Sequence, residues 1–128
     1  MKKLIAVISS AFGKIPFIGY SSFNGVEMGS LGLNTPNHIK FSYKYFNGTK
    51  IRGIRVSAGK IISVNYTSKV TQGELTLQIL DPARVALTPL QIGTTGTTEI
   101  KTLEDGTYEL VITGSKTAGS YDVSWSVK

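Results

Sequence analysis

From Ile39 to Val127 the chain is written as short apolar/polar alternations separated by turn residues. The clearest is Ser120-Tyr-Asp-Val-Ser-Trp-Ser-Val127, where Tyr121, Val123, Trp125 and Val127 share one side and Asp122, Ser124 and Ser126 the other. Period two places successive side chains on opposite faces, so such a run describes a strand with one buried face. No stretch carries convincing helical periodicity.

Ile39, Phe41, Tyr43 and Tyr45 alternate with Lys40, Ser42 and Lys44, which predicts a strand with an aromatic inner face. Asn47-Gly48 is a strong hairpin signal, because both residues tolerate positive φ, and Lys50 to Val56 then reads as the return strand. Its apolar phase slips between Ile51 and Ile54 across Gly53, which predicts a bulge there. Further strands are expected at Ile62 to Ser68, Leu75 to Ile79, Val85 to Leu87, Thr97 to Leu103, Tyr108 to Ile112 and Tyr121 to Val127. Turns are expected at Ala58-Gly59-Lys60, Thr71-Gln-Gly73, Asp81-Pro82, Glu104-Asp-Gly106 and Gly114 to Gly119.

Seven or eight strands with a turn about every ten residues predict an all-β chain, an antiparallel, jelly-roll-like β-sandwich. The expected core is Phe41, Tyr43, Ile54, Val64, Leu75, Leu77, Ile79, Ile100, Tyr108, Leu110, Ile112, Tyr121, Val123 and Trp125. Removing a central Trp125 side chain should cost about 3–5 kcal/mol. Three parts are expected: a leader-like apolar segment over residues 1–22, a polar lead-in over 23–38, and the sandwich over 39–128.

The first part opens Met1-Lys-Lys-Leu-Ile-Ala-Val-Ile-Ser-Ser-Ala-Phe12, a positive start followed by an apolar stretch, as in an export signal. Lys14 and Pro16 interrupt the apolar run. Phe17-Ile-Gly-Tyr-Ser-Ser22 resembles the end of a bacterial lipoprotein signal, but Tyr20 stands where the lipid-bearing cysteine would be. A phenol cannot form that thioether, so lipidation at Tyr20 is excluded. A degenerate leader, an atypical secretory signal and an N-terminal strand against a sheet edge all remain open. No run is long enough to cross a bilayer as a helix.

Composition narrows the chemistry. With 41% hydrophobic and 17% charged residues, the chain is too apolar to be disordered. The absence of cysteine removes disulfides, thiolate metal sites and a cysteine nucleophile together. His38, the single histidine, reads as an exposed loop residue. Glu104-Asp105 precedes Gly106 as a turn pair, and adjacent turn residues do not give the opposed geometry of a glycosidase. Catalytic residues, metal ligands and cofactors are therefore expected to be none. A calcium site from Asp81, Glu104, Asp105 and loop carbonyls is the weak exception. Gly93-Thr-Thr-Gly-Thr-Thr98 lacks the lysine of a phosphate-cradling loop and reads as a hairpin connection.

The formal charge of +6 is unevenly distributed. Between Met28 and Gly73 there is no Asp or Glu, while Lys40, Lys44, Lys50, Arg52, Arg55, Lys60 and Lys69 all fall there. These seven are the candidate binding residues, for an anionic partner on a basic surface. The competing reading is that they are solvated outward positions that protect strand edges. Lysines interleaved with Tyr43, Tyr45 and Tyr66 also suit single-stranded nucleic acid. Alternation, however, sends rings and lysines to opposite faces, which weighs against that partner.

Gly59-Lys-Ile-Ile-Ser-Val-Asn-Tyr66, Leu75-Thr-Leu-Gln-Ile-Leu-Asp81, Gly106-Thr-Tyr-Glu-Leu-Val-Ile112 and Gly119-Ser-Tyr-Asp-Val-Ser-Trp125 follow one another in order. This series resembles the small jelly-roll domains of secreted bacterial enzymes, such as the bacterial pre-peptidase C-terminal domains, and the stand-alone lipoprotein-like domains of Gram-positive bacteria. The resemblance implies an extracytoplasmic, non-catalytic module that binds or spaces, and it carries over no set of functional residues. The expected function is thus a secreted or envelope module, not an enzyme, that binds an anionic cell-surface polymer, a membrane face or another protein. A structural protein acting by self-association, for example a phage component, is the alternative, and a single-stranded nucleic-acid binder the second.

Overall fold

The computed structural model describes residues 21–128, so the leader segment through Tyr20 lies outside the described residues. Seven antiparallel strands occur in the order β1 (Ser21–Met28), β2 (Leu31–Thr35), β3 (His38–Val56), β4 (Ile61–Leu80), β5 (Ala86–Leu90), β6 (Thr95–Lys101) and β7 (Gly106–Val127). They form one hydrogen-bonded sheet in the spatial order β1-β3-β7-β4-β5, with β2 on β3 and β6 on β4. There is no helix among the described residues.

The three central strands are 19, 20 and 22 residues long, far beyond the usual ~5–6. Each is creased near its middle. Register shifts fall between Tyr43, Phe46 and Gly48 in β3, and between Val70, Gln72 and Glu74 in β4. The facing stretch of β7 is Gly114 to Gly119, with Phe46 opposite Thr117, Gly48 opposite Gly114, and Glu74 opposite Ser115. The three irregularities therefore lie side by side and make one fold line across the sheet. Gly73 sits on it at φ +73°, where a Cβ would lie 2.3 Å from the Lys116 carbonyl oxygen. Only glycine meets both conditions without strain.

Folding along this line gives an antiparallel β-sandwich. Layer A holds β2, the start of β3, the end of β7, the start of β4, and β6. Layer B holds β1, the end of β3, the start of β7, the end of β4, and β5. Their inner faces make one cluster, including Ile39, Tyr43, Tyr121, Val123, Trp125, Ile62 and Val64 from layer A. Phe46, Ile54, Tyr108, Leu110, Ile112, Leu77 and Ile79 join it from layer B. A single sheet cannot bury side chains completely, yet Ile62, Ile79, Leu110, Ile112 and Val123 are fully buried. The expected core is present, with Trp125 buried and Phe41 half-buried at its rim.

Five local expectations need correction. Asn47-Gly48, Thr71-Gln-Gly73 and Gly114 to Gly119 do not reverse the chain; they are the creases of β3, β4 and β7. The β3–β7 register runs unbroken from Gly48 to Val56, so there is no bulge at Gly53. Ile51 and Ile54 are simply buried on opposite faces, Ile51 opposite Val111 and Ile54 opposite Tyr108. Residues 21–35 of the expected leader and polar lead-in form edge strands β1 and β2 of this same sheet. The short edge strand expected near Val85 is β5, and its Pro89 is tolerated because nothing pairs beyond it among the described residues.

Candidate functional site

The outer face of layer A is built by the polar phase of its strands. Residues directly opposite in an antiparallel ladder share a face, and the registers set out three rows. Leu31, Ser42, Ser120 and Lys69 form the first. Leu33, Lys40, Asp122, Thr67 and Thr95 form the second, and Thr35, His38, Ser124, Asn65 and Thr97 the third. Five strands at ~4.8 Å spacing give a platform about 19 Å across. A recess of about 560 Å³ lies over the first two rows.

Cross-strand bonds fix these side chains. His38 Nε2 lies 2.6 Å from Asp122 Oδ1, and Lys40 Nζ 3.9 Å from Asp122 Oδ2. The Thr67 and Thr95 hydroxyls are 2.8 Å apart, and Thr97 Oγ1 donates to Asn65 Oδ1 at 2.8 Å. The last bond leaves the Asn65 amide hydrogens to point outward as donors. The platform thus presents preorganised hydroxyls and an amide, one shared carboxylate, and the ammonium groups of Lys40 and Lys69. Lys69 has no acidic partner within ion-pair distance among the described residues.

The seven basic residues do not form one surface. Lys40, Lys44 and Lys69 are exposed on layer A. Arg55 is exposed on layer B, opposite Thr107, and Lys60 sits in the turn between β3 and β4, where its amide donates to Thr102 Oγ1 at 2.9 Å. Lys50 and Arg52 point between the layers, which corrects their placement on a basic surface. Lys50 Nζ is 2.9 Å from Glu27 Oε2 and 3.8 Å from the centroid of the Phe41 ring, with Phe23, Phe46 and Tyr121 around it. Arg52 crosses from layer B to layer A, stacks on Trp125 at 5.3 Å, and donates to Asn34 Oδ1 and the Thr35 carbonyl. Its pKa is lowered, because burial disfavours the charged form.

His38 was expected in a loop, but it opens β3 and pairs with a residue 84 positions away in sequence. It stands on an open strand face, half-exposed with Asp122, rather than in a cleft. Two of the acids weighed for the weak calcium possibility belong to turns. Asp81 Oδ1 accepts the amides of Ala83 and Val85, each at 2.9 Å, and Asp105 Oδ1 accepts that of Ala58 at 2.7 Å. Sequence reasoning missed Asn65, Thr67, Ser120, Asp122 and Ser124 as site residues. Their common phase was readable, but not which strands become neighbours.

No protein-family model and no curated protein matches the chain. Among solved structures, the chain is similar to the module BiXyn10A CBM1, at 12% identity and a TM-score of 0.46, covering 84% of this chain and 87% of that one. It is also similar to TmCBM61 in complex with β-1,4-galactotriose, at 10% identity and a TM-score of 0.45, covering 91% and 92%. A third is the enzymatically active domain of tailspike protein 4 of bacteriophage CBA120, at 12% identity and a TM-score of 0.46. That match covers 85% of this chain and 19% of the tailspike.

Proposed function

We propose that this chain is a non-catalytic binding module that works outside the cytoplasm and holds an extended, hydroxyl-bearing polymer of a cell surface across the outer face of layer A. The observation that supports it is the co-registration of three polar rows, with Lys40 and Lys69 set among hydroxyl and amide groups. A flat strand face spaces donors regularly and suits a repeating ligand rather than a compact one. Lys69, without a carboxylate beside it, favours a polymer that carries negative charge. The His38–Asp122 pair orients Asp122 as an acceptor for ligand hydroxyls.

Retention on immobilised polyuronate, compared with a neutral polysaccharide, tests this reading. The chain should be retained by the anionic polymer, and retention should weaken between low and physiological ionic strength. K69E should weaken it at low salt, and N65A/S124A should weaken it at every salt concentration. The polymer's chain length should be unchanged after incubation. No retention on any polymer offered, or retention indifferent to both variants, overturns the proposal.

A further inference from the structure

A second surface lies at the free edge made by β1 and β2. It shares Leu31, Leu33 and Lys40 with the rim of the platform and continues round the turn at Gly29 to Met28 and Val26 on the layer B side. Val26, Met28, Leu31 and Leu33 are exposed there, Leu31 by 79%. Natural edge strands are usually guarded by outward charges, but the one charged residue from Ser21 to Asn37 is Glu27. Its carboxylate turns inward onto Lys50. The cations are beside the apolar strip instead. Lys40 stands opposite Leu33 in the ladder. The Lys44 stem lies over Gly29, in the turn between the two strands, so closely that a Cβ on Gly29 would meet Lys44 Cδ at 2.9 Å. The outward carboxylate paired with Lys40 is Asp122, which His38 shares.

We infer that this edge docks on an anionic membrane surface. Leu31, Leu33, Met28 and Val26 enter the boundary between headgroups and acyl chains, and the Lys44 and Lys40 ammonium groups meet lipid phosphates. Exposed apolar side chains rimmed by lysines, with no outward acid on the edge strands themselves, are what interfacial binding requires. A neutral protein partner would leave the lysine rim without a counter-charge. The strand edge itself stays at headgroup depth, because its unpaired amides and carbonyls are costly in hydrocarbon. Docked this way, the three-row platform of layer A stands next to the membrane with its β6 side turned away.

Co-sedimentation of the full chain with vesicles of phosphatidylcholine alone, or with one-third phosphatidylglycerol, tests the inference. Binding is expected to the mixed vesicles and to be at least tenfold weaker on phosphatidylcholine. L31D/L33D lies in an edge strand whose five residues are all exposed and should keep the wild-type melting temperature while losing binding by at least tenfold. K44Q should lose about fivefold, the worth of one lysine near an anionic surface. K69E should leave vesicle binding nearly unchanged while weakening the polymer, which separates the two surfaces. Absence of binding to mixed vesicles overturns the inference, as does binding that L31D/L33D leaves unreduced, which would place the contact elsewhere in the chain. Self-association abolished by L31D/L33D without vesicle binding assigns the edge to a second copy, and also overturns it.

Discussion

The Lys50 ammonium and the Glu27 carboxylate meet at 2.9 Å in the gap between the two layers, each side chain about nine-tenths buried. Ring faces attract a desolvated cation, and the Phe41 face lies 3.8 Å from it. A buried ion pair contributes little net stability over an apolar pair, but losing one partner strands a charge. E27Q should therefore cost about 3–5 kcal/mol, while E27M/K50M should be neutral or more stable than wild type. Denaturant midpoints of the three proteins check this.

The crease gives a second prediction. Gly73 and Gly59 both have strongly positive φ, but nothing lies within 4 Å of a Cβ on Gly59, whereas the Lys116 carbonyl lies 2.3 Å from one on Gly73. The conformational cost of alanine is similar at both, about 1–2 kcal/mol. G73A should lose clearly more stability than G59A, the excess reporting the close approach at the fold line. Equal losses in thermal unfolding would show that the crease relaxes freely.

Alkaline titration reads the interior. Tyr43 and Tyr121 are buried, and burial holds both phenols above their ordinary value of 10.0, with the Glu27 charge adding to the effect. The Thr117 hydroxyl beside Tyr43 acts in the opposite direction. Above about pH 10 the unfolded chain releases these protons and the native chain keeps them. Stability is thus intact below that pH and falls as pH rises beyond it. Absorbance at 295 nm should show the ionisation of Tyr43 and Tyr121 appearing only as the circular dichroism signal of the strands is lost.

How far the sequence could be read follows from what alternation encodes. Tyr121, Val123 and Trp125 declare a buried phase locally, and they are buried. Turn residues at Asn47-Gly48, Gly73 and Gly114 to Gly119 were visible as well, yet reversals and creases need the same conformations, and no local rule separates them. Only the register, which sets Gly48 opposite Gly114 and Glu74 opposite Ser115, shows that they form one line. Lys50 and Arg52 were misplaced because their phase looked polar. Burial depends on Glu27 and Trp125, partners 23 and 73 residues away. β1 and β2 were invisible for a related reason: edge strands with exposed apolar residues and several glycines carry no clean alternation.

The outer face of layer A is the claim on which the functional reading depends, and amide chemical-shift mapping during titration with soluble polyuronate tests it most directly. Perturbations should cluster at His38, Lys40, Asn65, Thr67, Lys69, Ser120, Asp122 and Ser124, and shrink as salt is raised. Shifts confined to layer B, or a spectrum that never changes, would contradict it.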